Sequence, residues 1–127
     1  MVDKNMQILI VDDYKTMLKI ERNLLNQLGF NNIDEATDGE MAWGMMQEKE
    51  YKLILSDWNM EPLSGLDFLK RVRASEKFSK MPFIMVTAET KAENVLIAKQ
   101  AGVNNYIVKP FNLQTLKMKM EAVIGKF

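Results

Sequence analysis

The chain has 127 residues, which is enough for one domain that buries a core without disulfide or metal crosslinks. Its 17 basic and 17 acidic residues cancel, which argues against the concentrated basic surface that nucleic-acid binding uses. Because the sequence contains no cysteine and no histidine, it excludes disulfides, thiolate nucleophiles, Ser-His catalysis and most zinc chemistry.

The first half of the chain alternates between short apolar runs and segments of helical periodicity. Residues 8–11 form an unbroken apolar run, as in a strand that is covered on both faces. The helical segment that follows ends where Gly29 suits a C-terminal cap. A weaker strand is predicted at 32–36, Asp38 begins the second helical segment, and the next apolar run is at 53–55.

The second half repeats this alternation. A capping-box pattern at Ser64 begins the third helix, and the same pattern at Thr90 begins the fourth. Apolar runs at 83–86 and 106–108 predict two more strands, and the last helix runs from Asn112. Five strands alternating with five helices predict an α/β fold with a parallel sheet and helices on both faces.

The sequence carries no signal for secretion or membrane insertion. Residues 1–7 are polar and lack the apolar core of a signal peptide. No apolar run approaches the roughly 20 residues that cross a bilayer. We therefore expect a cytoplasmic protein that binds neither membrane nor nucleic acid.

Polar side chains follow four of the predicted strands at the point where each strand ends. In open α/β sheets, ligands bind outside the carboxyl ends of the strands, so these side chains meet at one edge. They are Asp12, Asp13, Asp57, Thr87 and Lys109. Each has an ordinary explanation when taken alone, such as the capping of a helix by Asp12 or Asp13. Together they place three carboxylates, a hydroxyl and an ammonium at the carboxyl edge of the sheet.

This set of side chains suits phosphoryl transfer. Three carboxylates brought together repel unless a cation joins them, and with oxygen ligands and no histidine the natural cation is Mg²⁺. A carboxylate beside Mg²⁺ can attack phosphorus and form an acyl phosphate. The Thr87 hydroxyl and the Lys109 ammonium can each bond or neutralise one phosphoryl oxygen.

These residues resemble the signature of receiver domains of two-component response regulators. The resemblance covers essentially the whole chain and is closest to single-domain chemotaxis regulators. It rests on Asp12-Asp13, Asp57, Thr87 and Lys109-Pro110, and on the stretches 22–25, 28–32, 56–60, 85–89 and 108–111. It implies a flavodoxin-like, doubly wound sheet of five strands in the order 2-1-3-4-5, flanked by five helices. It also implies one receiver domain over 1–127 with no output domain.

The resemblance implies a role for each residue of the metal and phosphoryl site. Asp57 is the phosphoacceptor. Asp13 holds Mg²⁺ directly, Asp12 holds it through water, and Asn59 offers its backbone carbonyl to the same ion, which Asp57 also binds. Lys109 contacts the phosphoryl group, and its bond to Pro110 is expected to be cis.

Four positions match residues that control the family's response. Thr87 corresponds to the switch hydroxyl and Tyr106 to the aromatic residue that is coupled to it. Asn59 and Glu89 match the variable positions that tune hydrolysis of the phosphoaspartate.

One stretch departs from the family pattern. Glu61 stands four residues after Asp57, where proline is usual, and Pro62 follows it, while Gly65 keeps its expected spacing. The restriction that proline imposes on the preceding residue therefore falls on Glu61 instead of Met60, which leaves the path of the loop open. The added charge either slows phosphorylation or alters recognition by a phosphatase, or it faces solvent without effect.

The leading interpretation is a monomeric, stand-alone switch that catalyses only its own phosphorylation and dephosphorylation. By resemblance its partners are a histidine kinase (CheA-like), a flagellar motor switch protein (FliM-like) and a phosphatase. Output is expected on helix 4, strand 5 and helix 5, in a final third, residues 89–127, that is net basic by three. The residues predicted for this partner face are Lys91, Val95, Lys99, Val103, Tyr106, Val108 and Lys119, with Lys117 nearby.

Three alternatives remain open at this point. A phosphate sink or a phosphorelay shuttle would use the same site without the motor. A haloacid-dehalogenase-like phosphatase also uses an Asp nucleophile and Mg²⁺, but its second Asp lies two residues after the nucleophile, and it would turn over a phosphate ester steadily. A flavodoxin-like cofactor carrier is disfavoured because the acidic first loop would repel a flavin phosphate.

Overall fold

The computed structural model describes residues 2–127, and in this part of the chain five strands alternate with five helices. The strands are β1 (Ile8–Val11), β2 (Ile33–Ala36), β3 (Leu53–Ser56), β4 (Phe83–Thr87) and β5 (Asn105–Val108). The helices are α1 (Lys15–Gln27), α2 (Gly39–Glu48), α3 (Gly65–Ala74), α4 (Ala92–Gln100) and α5 (Leu113–Ile124). None of these helices is long and apolar enough to span a membrane.

The strands form one parallel sheet in the order β2-β1-β3-β4-β5, which confirms the predicted topology. Main-chain hydrogen bonds continue the ladder one residue past the strand ends. The Asp12 N–H donates to Ala36 O, the Asp57 N–H to Val11 O, and the Lys109 N–H to Thr87 O. The register therefore brings the residues that follow β1, β3 and β5 to one edge.

Two apolar layers cover the two faces of the sheet. One contains Leu9, Val11 and Ile54 under α2, α3 and α4, and the other contains Ile8 and Ile10 under α1 and α5. Because helices cover both faces, successive residues of a central strand are all buried. This explains why β1, β3 and β4 are unbroken apolar runs in the sequence.

Most of the predicted helix boundaries are confirmed by side-chain caps. The side chains of Asp38, Ser64 and Asn112 accept hydrogen bonds from the N–H groups of the first turns of α2, α3 and α5. Gly29 follows α1 with φ of 98°, a conformation that favours glycine.

The predicted cap at Thr90 is wrong. The N-terminal cap of α4 is Lys91, whose carbonyl accepts from the N–H groups of Asn94 and Val95, and no side chain caps this helix. Thr90 lies one residue too early to reach the first turn. The helix therefore begins one residue later than the capping-box pattern indicates.

Candidate functional site

The carboxyl edge of the sheet gathers the three predicted carboxylates. Asp12 follows β1 and Asp57 follows β3, and both are buried, whereas Asp13 is exposed. One carboxylate oxygen from each of the three residues lies within 4.8 Å of the others. The sequence prediction that these side chains meet is therefore borne out by their positions.

Lys109 lies against this cluster from the end of β5. Its Nζ donates to Asp12 Oδ2 at 2.5 Å and lies 3.6 Å from Asp57 Oδ2. Burial alone would lower the pKa of Lys109, but the hydrogen bond to Asp12 and the charges of Asp57, Asp12 and Glu21 raise it above its ordinary value. Lys109 is thus a charged ammonium held between the two buried carboxylates.

Burial raises the pKa of Asp57, and the charge of Asp12 adds to this effect. Lys109 opposes it, as do a 2.7 Å hydrogen bond from the Trp58 N–H to Asp57 Oδ1 and the Thr87 hydroxyl. The balance leaves more negative charge in the site than Lys109 compensates. A cation bound among three carboxylate oxygens would relieve this repulsion, and an all-oxygen donor set matches the preference of Mg²⁺.

The main chain holds the Asp57 loop against the start of α3. The Gly65 N–H donates to Trp58 O at 2.8 Å. A Cβ on Gly65 would lie 1.9 Å from the carbonyl oxygen of Asp57, so only glycine fits this approach. The family spacing of Gly65 therefore has a steric cause next to the site.

A cleft of about 420 Å³ opens beside the exposed carboxylate. It is lined by Asp13, Trp58, Asn59, Met60, Glu61 and Ser64. Within residues 2–127, no N–H group donates to the carbonyl oxygen of Asn59, which leaves that oxygen available to a ligand. Both X-Pro bonds that the sequence analysis singled out, Glu61–Pro62 and Lys109–Pro110, are cis, as expected for Lys109–Pro110.

Thr87 and Tyr106 connect the site to α4 through one short segment. Thr87 is fully buried, and its Oγ1 accepts from the Glu89 N–H at 3.4 Å. The Tyr106 hydroxyl donates to the Glu89 carbonyl at 2.9 Å, and burial, followed by the charges of Glu89 and Asp57, raises the pKa of Tyr106 to about 12. The Glu89 carboxylate in turn accepts from Asn94 of α4 at 2.9 Å. Tyr106 therefore points inward and is bonded to the segment that follows β4.

The structure distributes the predicted partner face between surface and core. Lys91, Lys99 and Val108 are exposed, whereas Tyr106 is buried. Tyr106, Val108 and Lys119 line a common shallow groove next to α5. Val95 and Val103 are partly buried and pack on the core.

Two apolar residues on α4 were missed by the sequence analysis. Leu96 is 55% exposed and Ile97 is 40% exposed. Only Ala98 of this helix is buried. The sequence signal that could have revealed them is the run of three consecutive apolar residues at 95–97, because one helix face cannot bury all three.

Glu21 was also missed, although it is a buried carboxyl group near the site. It is 1% exposed, and its Oε2 has no hydrogen-bond partner among the described residues. Burial, followed by the charge of Asp12, raises its pKa well above the ordinary value. Its position four residues after Met17 and four before Leu25 places it on the buried stripe of α1, which is a signal the sequence did contain.

Residues 8–121 match the family described as response regulator receiver domain. The chain belongs to this family. Its receiver domain is 49% identical over 125 residues to chemotaxis protein CheY-3 of Vibrio cholerae, which covers 98% of this chain and 96% of that protein. It is 48% identical over 121 residues to chemotaxis protein CheY of Pseudomonas aeruginosa, covering 95% of this chain and 98% of that protein.

A solved structure gives independent support for the fold. The receiver domain of the sensor histidine kinase PA1611 from Pseudomonas aeruginosa has a TM-score of 0.86 and 28% identity, with 96% of this chain and 99% of that chain covered. That structure has a magnesium ion coordinated in the active-site cleft. The present chain is a receiver domain of the CheY-like chemotaxis type, a signalling domain with an acidic cluster suited to Mg²⁺.

Proposed function

We propose that this receiver domain, as one domain over 1–127, accepts a phosphoryl group on Asp57 with the help of Mg²⁺ and thereby switches its binding to another protein. The observation that carries the proposal is the cluster of three carboxylate oxygens within 4.8 Å, with Lys109 bonded across it. The protein acts as a monomer in the cytoplasm and binds neither nucleic acid nor membrane.

The residues divide the chemistry among themselves. A carboxylate oxygen of Asp57 forms the new O–P bond while the P–N bond of a kinase phosphohistidine breaks, and the departing imidazole keeps the electron pair and takes up a proton. Asp12, Asp13, Asp57 and the Asn59 carbonyl would hold Mg²⁺, which supplies charge neutralisation at the phosphoryl oxygens. Lys109 lies within 3.6 Å of Asp57 Oδ2, close enough to bond the incoming group.

The direct test is intact-mass measurement after incubation with Mg²⁺ and a small acyl phosphate. We expect the wild type to gain the mass of one phosphoryl group and Asp57→Asn to gain none. Asp67→Asn is a matched control, because Asp67 is an exposed carboxylate on α3. Phosphorylation at another residue, or phosphorylation that a chelator does not diminish, would contradict the proposal.

Metal binding has its own readout in Trp58. This side chain lines the cleft next to Asp13, whereas Trp43 packs on Phe78 of the α3–β4 connection with ring centroids 5.7 Å apart. We expect Mg²⁺ to change tryptophan fluorescence in the wild type and in Trp43→Phe, and not in Trp58→Phe. A full signal in Trp58→Phe would show that the ion binds elsewhere.

The proposed output runs from Thr87 to the face formed by α4, β5 and α5. A bond from the Thr87 hydroxyl to the phosphoryl group would move the segment to which Tyr106 is bonded at Glu89. The input partner is a CheA-like histidine kinase, and the output partner is a FliM-like flagellar motor switch protein. A partner that prefers one arrangement of this segment shifts the population towards it.

This output is tested by the affinity of a motor-switch peptide with and without beryllofluoride, a mimic of the phosphoryl group. Typical allosteric couplings of about 1–3 kcal/mol correspond to a change of roughly 5–150-fold. Equal affinities would instead favour a phosphate sink or a relay shuttle. We further propose that Asn59, exposed in the cleft, and Glu89, held by Asn94, set the rate at which water or a phosphatase removes the phosphoryl group.

A further inference from the structure

The two sides of the site differ in charge. Lys109 lies on the side of Asp12 and Asp57 and is bonded or close to both. The cleft on the other side is lined by two acidic residues, Asp13 and Glu61, and no basic residue is among those that line it. Among residues 2–127, neither of these two acids forms a salt bridge. An ion or a phosphoryl donor that enters through this cleft therefore meets uncompensated negative charge.

The loop that carries Glu61 is held at both of its ends. The Gly65 N–H donates to Trp58 O at 2.8 Å, and the Ser64 side chain caps α3. The Gly39 N–H of α2 donates to Leu63 O at 3.4 Å. These contacts hold the main chain on either side of Glu61, which is one of the residues that line the cleft.

A carboxylate in this position acts on the two reactants in opposite directions. Mg²⁺ keeps several of its waters when it binds, and a carboxylate on the cleft wall can accept hydrogen bonds from them. A phosphoryl donor is an anion, and a like charge at the entrance raises the cost of its approach. The more negative the donor, the larger this cost becomes.

We propose that Glu61 is a specificity-determining residue of the phosphorylation site, which strengthens the binding of hydrated Mg²⁺ and discriminates against phosphoryl donors of higher negative charge. The inference rests on the proposed phosphorylation of Asp57. The favoured donors are those that present a phosphoryl group with a single negative charge or beside a compensating cation.

The first arm of the test measures Mg²⁺ affinity from the fluorescence of Trp58 in the wild type and in Glu61→Gln. Loss of one charge at the cleft wall is expected to weaken Mg²⁺ binding by about two- to five-fold at low salt, and by less at high salt. Glu76→Gln is the matched control, because it removes an exposed acid from the connection between α3 and β4 at the opposite edge of the sheet. It is expected to leave the affinity unchanged.

The second arm compares two donors at saturating Mg²⁺ and neutral pH. Acetyl phosphate is doubly negative under these conditions and phosphoramidate carries one negative charge. In Glu61→Gln the rate with acetyl phosphate is expected to rise about two-fold relative to the rate with phosphoramidate, and in Glu76→Gln the ratio of rates should not change.

The outcomes separate this inference from the proposed function. A wild-type protein that gains no phosphoryl group from either donor would contradict phosphorylation of Asp57 and the donor selection that depends on it. A wild-type protein that is phosphorylated, with the same Mg²⁺ affinity and donor ratio as Glu61→Gln, would overturn only the role of Glu61. Equal changes in Glu61→Gln and Glu76→Gln would also overturn it, because they would reflect net charge and not the cleft.

Discussion

Helices α3 and α4 flank the site on the same face of the sheet, yet they are held very differently. Ser64 caps α3, and Phe68, Leu69 and Val72 bury this helix in the core. No side chain caps α4, and Ala98 is its one buried residue within the described chain. Helix α3 is therefore packed firmly beside the site, whereas α4 is packed loosely enough to move when the site changes.

The two ends of α4 also differ. Arg73 of α3 donates to Gly102 O at 2.8 Å and to Asn104 Oδ1 at 2.8 Å, which fixes the connection that follows α4. At the other end of α4, next to the site, the one side-chain hydrogen bond among the described residues is the one that Asn94 donates to Glu89. The less firmly held end of α4 is therefore the end next to the proposed phosphorylation site.

The largest expected effect comes from removing an anchor of α3. Phe68→Ala should lower the free energy of unfolding by about 3–5 kcal/mol, because Phe68 is fully buried and the substitution leaves a cavity. Leu96→Ala on α4 should change it by less than about 0.5 kcal/mol, because Leu96 is mostly exposed. Urea unfolding of the two variants checks the contrast, and similar losses would refute it.

Helix α1 offers a second comparison with α3, because both helices are buried but α1 carries Glu21 in its apolar stripe. A buried polar group without a partner costs about 1–3 kcal/mol, so Glu21→Leu should raise the free energy of unfolding within that range near neutral pH. The pKa of Glu21 is raised in the folded state, so the folded protein keeps this proton after the unfolded chain has lost it.

The sign of the pH dependence follows from this difference. Above about pH 4.3, where an ordinary glutamate ionises, the wild type should lose stability as pH rises towards the raised pKa of Glu21. The advantage of Glu21→Leu over the wild type should therefore grow as pH rises above about 4.3 towards the raised pKa of Glu21. Glu21→Gln serves as a control that removes the titration and keeps a polar group. An advantage that is independent of pH would contradict the raised pKa of Glu21.

A smaller effect on stability is expected from substitutions at the N-terminal ends of α3 and α4. Ser64→Ala should cost about 1 kcal/mol, because the Ser64 hydroxyl accepts from the Asp67 N–H at 3.1 Å. Thr90→Ala should cost less than about 0.5 kcal/mol, because Thr90 does not cap α4. Thermal unfolding of both variants tests this pair, and a larger loss for Thr90→Ala would show that the cap prediction from sequence was right after all.

The sequence predicted the sheet well because the physical cause of each strand is local. A strand covered on both faces must be apolar throughout, and the side chains that follow it must meet at one edge. Caps at Asp38, Ser64 and Asn112 were predictable for the same reason, because the capping side chain and the bonded N–H are three residues apart.

The failures of sequence reasoning have a different cause. Thr90 and Ser64 carry the same local pattern, yet the Ser64 side chain caps α3 and the Thr90 side chain does not cap α4, so the pattern alone does not decide where a helix begins. The spacing of Glu21 from Met17 and Leu25 and the apolar run at 95–97 were signals in the sequence, but which neighbours cover each helix is tertiary information. The Mg²⁺ and phosphoryl-transfer chemistry of the carboxyl edge was predicted from its side chains, and the role of each residue from the resemblance; both stay predictions.

The central claim is that a phosphoryl group at Asp57 changes α4 and leaves α3 in place. Hydrogen exchange measured with and without beryllofluoride and Mg²⁺, in the wild type and in Asp57→Asn, tests it most directly. We expect exchange to change at the start of α4 and in β5, to stay constant in α3 around Phe68, and to respond to neither addition in Asp57→Asn. Equal changes in α3 and α4, or no change in α4, would contradict the account.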